Sequence, residues 1–128
     1  MLVSQLLSFV ITDTTEYKTI ISCTAVLRTA VQSNLTELSG HLLGQQLITS
    51  NSDKELRNGM LEESTRAAKL VELIQNKVEL NPDNYHAFIK ALEEDKQNYQ
   101  DILKVMKEKY NALTEGDWLW FKVVMFMH

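Results

Sequence analysis

The sequence predicts a single all-α domain, built as a bundle of six helices. Only four glycines and one proline interrupt the 128 residues. No alternation of apolar and polar residues persists long enough to indicate a half-buried strand. Apolar residues instead recur at helical spacing along most of the chain. The length and the 45% of hydrophobic residues are typical of one compact core.

Three helices are predicted in the first half of the chain. The first covers residues 17–34, but threonines and β-branched residues weaken its helix propensity and predict a bend or break near Thr24. Asn34 is a good cap for a second, short helix that carries Leu38, Leu42, Leu43 and Leu47. The third is predicted to open with a capping box from Ser52 to Glu55, and to end before Gly59.

The second half predicts three more regular helices. Residues 61–80 show one apolar face, made of Ala67, Leu70, Val71, Ile74 and Val78. Asn81 then serves as an N-cap and Pro82 as the first helical residue of a helix that runs to about Glu93. The last helix is predicted to end near Tyr110, with lysines at its C-terminus: Lys104, Lys107 and Lys109.

These elements divide the chain into an N-terminal extension (1–16), a helical domain (17–110) and an apolar C-terminal tail (111–128). Residues 1–11 lack the basic start and the cleavage site of a signal peptide. Residues 118–127 are interrupted by Lys122 and are too short to span a bilayer. We expect the tail to pack back on the bundle or to begin a segment cut short by an incomplete gene model; docking to a partner or a membrane is the third explanation.

Charge and cysteine content exclude several classes of function. A net charge of -4 argues against general affinity for nucleic acid. The single cysteine, Cys23, excludes an internal disulfide and favours a reducing compartment, so we expect a cytoplasmic protein. Cys23, His41 and His86 are a weak basis for a thiol catalyst, and Cys23 is expected in the core. No metal-ligand spacing or glycine-rich phosphate loop occurs, so we expect no enzyme, metal or cofactor.

Four stretches resemble successive helices of caspase-recruitment domains, which belong to the death-fold superfamily. They are residues 27–38 (LRTAVQSNLTEL), 42–49 (LLGQQLIT), 66–77 (RAAKLVELIQNK) and 85–92 (YHAFIKAL). In the last of these, Phe88 and Leu92 match an aromatic and leucine core pair of the fifth helix. The chain departs from the family at Val78, where the fourth helix usually ends in glycine, and its first helix is poorer in basic residues.

The resemblance implies an antiparallel Greek-key bundle that binds like domains. Its expected role is that of an adaptor or regulator in apoptotic or innate-immune signalling. The expected partner is another caspase-recruitment domain, in a caspase, an adaptor or a nucleotide-binding receptor, or a second copy of this chain. Neither nucleic acid nor a membrane is expected as a partner.

In this family, oppositely charged patches on different helices pair between molecules. The candidate basic patch is Arg28, Arg66 and Lys69, and the candidate acidic patch is Glu37, Asp53 and Glu55. Two alternatives stay open: a death-effector or death domain, separable by whether the first helix is split, and a small helical binding protein unrelated to cell death.

Overall fold

The computed structural model describes the backbone of residues 14–126 and the side chains of residues 14–114. Over that span the chain forms α-helices and no strand, which confirms the predicted all-α class. Predictions for residues 1–13, 127 and 128, and for the side chains of the apolar tail, lie outside the described part. The helices are α1 (Thr15–Ser22), α2 (Thr24–Gln32), α3 (Leu35–Gly44), α4 (Ser50–Leu56), α5 (Glu63–Leu80), α6 (Asp83–Glu93) and α7 (Lys96–Phe126).

The described residues form seven helices rather than six because the first predicted helix is divided at Cys23. There the backbone leaves helical geometry, with φ -97° and ψ 7°. Beside the break, the Thr24 hydroxyl donates to the carbonyl of Ile20 at 3.1 Å. Such a side-chain bond competes with the backbone ladder and bends helices. The threonines therefore account for the break that their propensity predicts.

The N-terminus of α4 differs from the prediction. Thr49, not Ser52, is its N-cap, because the Thr49 hydroxyl oxygen accepts the backbone N–H of Ser52 at 3.1 Å. The helix begins at Ser50 and ends at Leu56, which is fully buried. The capping box predicted at Ser52 was therefore wrong by three residues, although the helix itself is present.

The C-terminus of α3 is closed by two backbone hydrogen bonds of the Schellman type. Leu47 N–H donates to the carbonyl of Leu42, and Gln46 N–H donates to the carbonyl of Leu43, both at 3.0 Å. This turn places Gln46 in the left-handed region, with φ 61°. Glycine is the usual residue at that position, so Gln46 carries a conformational cost.

Helices α5 and α6 follow the prediction closely. The predicted apolar face of α5 is fully buried, with Ala67, Leu70, Val71, Ile74 and Val78 at most 1% exposed. Helix α6 begins one residue later than predicted, at Asp83, so Pro82 rather than Asn81 is its N-cap. Asn81 still accepts two backbone N–H groups at the start of the helix. The Asn81 side-chain oxygen accepts the N–H of Asp83 at 3.1 Å, and its carbonyl accepts the N–H of Asn84 at 3.0 Å.

Helix α7 is longer than predicted and continues to Phe126. The lysines expected at its C-terminus, including Lys104 and Lys109, lie instead in the middle of the helix, where the helix dipole gives no special benefit. Near its start the backbone kinks at Tyr99, with φ -119° and ψ 17°. The buried Tyr99 hydroxyl donates to the carbonyl of Asn34 at 3.3 Å, which ties the kink to the start of α3.

The helices pack around one apolar core. Helix α1 packs on α7 and α5, α2 packs on α5, and α3 packs on α4 and α6. The largest fully buried side chains come from every helix and, for Leu47, from the connection between α3 and α4: Ile20, Leu27, Leu38, Leu42, Leu47, Leu56, Leu70, Ile74, Phe88, Leu92, Tyr99 and Met106. Among the described residues, no helix has the length and apolarity that crossing a membrane requires.

Candidate interaction surface

Arg28 lies on α2 and is exposed to solvent. No carboxylate among the described side chains forms an ion pair with it. An exposed cation without an internal partner keeps its charge available to another molecule. Arg28 is therefore the predicted site residue whose position best suits binding.

Arg66 lies on α5 but is partly buried. Its Nη1 donates to the carbonyl of Leu56 at 3.2 Å, so the guanidinium braces the end of α4. Its Nε is buried without a hydrogen-bond partner among the described residues. The Arg66 side chain therefore contributes to the fold, and its guanidinium is only partly accessible to another molecule.

Lys69 and Glu55 were assigned to opposite patches, and they pair with each other within this molecule. The ammonium of Lys69 contacts a carboxylate oxygen of Glu55, linking α5 to α4, and both side chains remain about half exposed. Exposed ion pairs of this kind add little stability. An incoming charged surface must therefore compete with, or rearrange, this pair.

Asp53 is held by neighbours in its own molecule. One of its oxygens accepts the Ser39 hydroxyl at 2.5 Å and Arg57 Nε at 2.8 Å, and the side chain is 14% exposed. The hydrogen bond from Ser39, followed by that from Arg57, holds the pKa of Asp53 below its usual range. The predicted acidic contact is therefore chiefly a link between α3 and α4.

Glu37 is exposed on α3 and accepts Asn34 Nδ2 at 3.0 Å. Asn34 was predicted as the cap of α3 and does occupy that position, but its side chain makes no capping bond. Its Nδ2 also donates to Asp95 at 2.7 Å, which joins α3 to the connection between α6 and α7. Glu37 is thus the least constrained of the three predicted acids.

The two histidines considered as catalytic bases instead join helices. His41 Nδ1 lies 2.8 Å from a carboxylate oxygen of Glu94, linking α3 to the end of α6. His86 Nε2 lies 3.5 Å from Glu16 on α1.

Cys23 is buried in the core. Burial disfavours the thiolate and raises the pKa of Cys23, although the charge of Lys109 opposes this shift. A protonated thiol is a poor nucleophile.

A cluster that the sequence did not indicate surrounds His86. The rings of Tyr85 and Tyr110 stack with centroids 5.4 Å apart, and His86 meets both edge-on. The Tyr110 hydroxyl donates to Glu16 at 3.2 Å, so α1, α6 and α7 meet here. Burial, followed by the charge of Glu16, raises the pKa of Tyr110. These contacts join residues 94 positions apart, which helical spacing alone does not reveal.

Two acidic residues at the end of α6, Glu94 and Asp95, make contacts with α3 and its flanking residues. Glu94 pairs with His41 and also accepts Gln45 Nε2 at 3.0 Å. Asp95 accepts from Asn34. Among the described residues, no three His, Cys, Asp or Glu side chains are grouped so that they could hold a metal ion.

Compared with models of protein families, with curated proteins and with solved structures, the chain matches none.

Proposed function

We propose that this chain is an interaction module of the caspase-recruitment type, with the Greek-key arrangement of the death fold, acting as an adaptor or regulator in apoptotic or innate-immune signalling. The observation that carries the proposal is the order of helices. A first helix divided at Cys23 packs on α5 and α7, and α3 to α6 follow with short connections. This is the succession that the four resembling stretches imply.

The division at Cys23 favours the caspase-recruitment type over the death-effector and death-domain alternatives. A helical binding protein unrelated to cell death is the second candidate, favoured by the internal pairing of Lys69 with Glu55. That pairing reduces the charge which the two patches can offer. The two candidates differ in whether association depends on charge.

The proposed activity is binding rather than catalysis, and the proposed compartment is the cytoplasm. Burial raises the pKa of the Cys23 thiol and makes it a poor nucleophile, which supports the first part. The single cysteine, which has no partner for an internal disulfide, supports the second. The proposed partner is another caspase-recruitment domain or a second copy of the chain. Arg28 is the residue we expect to contact the partner's acidic surface.

The proposal is tested by Arg28→Glu in the full chain. Light scattering and negative-stain electron microscopy, across salt concentrations, measure self-association of the wild type and the variant. We expect salt-sensitive assemblies that Arg28→Glu abolishes, because screening and charge reversal weaken the same contact. Lys90→Glu is the matched control, since Lys90 is exposed on α6 and has no ion pair with the described residues.

Two outcomes contradict the proposal as stated. Equal loss of assembly in Lys90→Glu would indicate dependence on net charge rather than on Arg28. If the wild type assembles and neither salt nor Arg28→Glu changes the assembly, the charge-driven mode is refuted and the unrelated helical binding protein is favoured.

A further inference from the structure

The connection between α4 and α5 contains an asparagine followed by a glycine, Asn58 and Gly59. This is the one place in the sequence where asparagine precedes glycine. Both residues are exposed to solvent. The backbone nitrogen that follows an asparagine can attack the side-chain amide of that asparagine. Glycine has no Cβ to obstruct the approach and restricts the backbone least, so Asn58 has the neighbour that most favours this reaction.

The backbone nitrogen of Gly59 is available for such an attack. The N–H groups on either side of it are engaged: that of Asn58 donates to the carbonyl of Glu55 at 3.2 Å, and that of Met60 donates to the side-chain oxygen of Asn58 at 3.1 Å. The N–H of Gly59 donates to no group among the described residues. No hydrogen bond to a described group therefore has to break before this nitrogen reacts.

The hydrogen bond from Met60 also prepares the side-chain amide of Asn58. It closes a ring that contains both Asn58 Cγ and Gly59 N, and a second bond, from Leu61 N–H to the Asn58 carbonyl at 3.2 Å, closes the same turn. When Gly59 N adds to Cγ, negative charge develops on the side-chain oxygen that Met60 N–H already contacts. A donor placed where charge develops lowers the barrier, and so does holding the reacting groups together.

We propose that Asn58 is a site of spontaneous deamidation in the folded protein. The nitrogen of Gly59 loses its proton to hydroxide and forms a bond to Asn58 Cγ. The bond from Cγ to Nδ2 then breaks, and Nδ2 takes a proton from water and leaves as ammonia, so that a cyclic imide remains. Water then opens the imide: cleavage at Cγ gives aspartate, and cleavage at the backbone carbonyl gives isoaspartate. Overall, one water is consumed and one ammonia is released.

The reaction changes both the charge and the backbone of this connection. Each product carries a carboxylate where Asn58 had a neutral amide, close in sequence to the exposed Glu62 and Glu63. In isoaspartate the chain also passes through the former side chain, which lengthens the backbone between α4 and α5. We expect that product to loosen the turn that Asn58 closes. The modification goes beyond the proposed binding function and does not depend on it.

Asn51 provides an internal comparison. It is exposed on α4 and is followed by another small residue, Ser52. The N–H of Ser52, however, donates to the Thr49 hydroxyl oxygen at 3.1 Å, at the capped start of the helix. That bond and the helical backbone restrain the Ser52 nitrogen. The fold should therefore protect Asn51 and leave Asn58 reactive.

The test incubates the folded full chain in mildly alkaline water labelled with heavy oxygen and maps its peptides by mass spectrometry over time. We expect the Asn58 peptide to gain heavy oxygen first, as aspartate and isoaspartate, and faster at higher pH, because the Gly59 nitrogen must lose its proton. The matched variant is Gly59→Ala. A Cβ at Gly59 meets no atom within 4 Å and its φ is not positive, so the variant should fold normally, which circular dichroism checks. It should slow the reaction by about tenfold or more.

Equal rates at Asn58 in the wild type and in Gly59→Ala would overturn the proposal, because the Gly59 nitrogen would not be the attacking group. So would an Asn58 peptide that stays unchanged while other asparagines of the folded chain react. Unfolding in urea provides a second measurement: it should raise the rate at Asn51 and should not raise the rate at Asn58. A rise at Asn58 as large as that at Asn51 would show that the turn protects the amide, which contradicts its activation.

Discussion

Ser39→Ala removes a fully buried hydroxyl that has one defined role. It is 0% exposed, and it donates to Asp53 at 2.5 Å. Removing a hydrogen bond to a charged group costs about 1.5–3 kcal/mol. Ser39→Ala leaves the bond from Arg57 to Asp53 in place, so we expect a loss within that range. For a domain of this size the loss corresponds to roughly 6–12 °C in Tm.

The effect of Ser39→Ala should depend on pH. Since hydrogen bonds hold the pKa of Asp53 below its usual range, the ionised carboxylate stabilises the fold above the unfolded-state pKa of about 3.9. That stabilisation is lost as the pH falls through the lowered pKa of the folded state. Ser39→Ala removes the larger cause of the shift. The difference from wild type is therefore expected to be full near neutral pH and to shrink below about pH 4.

Urea denaturation followed by circular dichroism, near neutral pH and at acid pH, measures this difference. Ser64→Ala is the matched control because Ser64 is exposed in the first turn of α5, and it should change stability by less than about 0.5 kcal/mol. An equal loss for Ser39→Ala at both pH values would mean that packing, not the bond to the carboxylate, sets its cost. A loss as small as that of Ser64→Ala would refute the assigned role.

Two further changes test the backbone and the core by the same urea titration. Gln46→Gly should stabilise the fold by about 0.5–1 kcal/mol, because glycine adopts the left-handed conformation at φ 61° without strain. The control, Gln100→Gly at an exposed position of α7, should destabilise the fold by about 1 kcal/mol. A loss of stability in both variants would contradict the strain at Gln46. Phe88→Ala should cost about 3–5 kcal/mol, since Phe88 is 0% exposed. Met60→Ala, at a 94% exposed position, should leave stability nearly unchanged, and comparable losses would contradict the described core.

Sequence patterns predicted the helices best where spacing and caps agree. The apolar face of α5 needed only local information and is present in the structure. The start of α6 was predicted to within one residue, although its N-cap is Pro82 and not Asn81. At α4 the predicted cap, Ser52, was wrong, and Thr49 is the N-cap. Serine and threonine are both good N-cap residues, so local preference does not separate these two positions. The end of α7 was predicted near Tyr110, but the helix continues to Phe126. The sequence directly after Tyr110 contains no strong stop signal.

The candidate site was harder to predict than the helices. Helical spacing shows which residues face outward, but it does not fix how one helix is placed against another. Lys69 and Glu55 were therefore assigned to different patches, although they meet across α4 and α5. The same limit hid the pair of His41 with Glu94, which are 53 positions apart in sequence. Arg28 was the easier case, because its exposure follows from its place on α2 alone.

The contact between the first and last helices has a consequence for synthesis. Helix α1 packs on α7, and Glu16 accepts a hydrogen bond from Tyr110, 94 residues later. On the ribosome, the apolar side of α1 therefore emerges long before its cover. Ile20 of α1 is fully buried in the folded bundle, and part of the surface that covers α1 comes only from α7. We expect the apolar side of α1 to stay partly exposed in the nascent chain, which is the kind of surface that chaperones bind, and we expect the non-local contact of α1 with α7 to form late in folding.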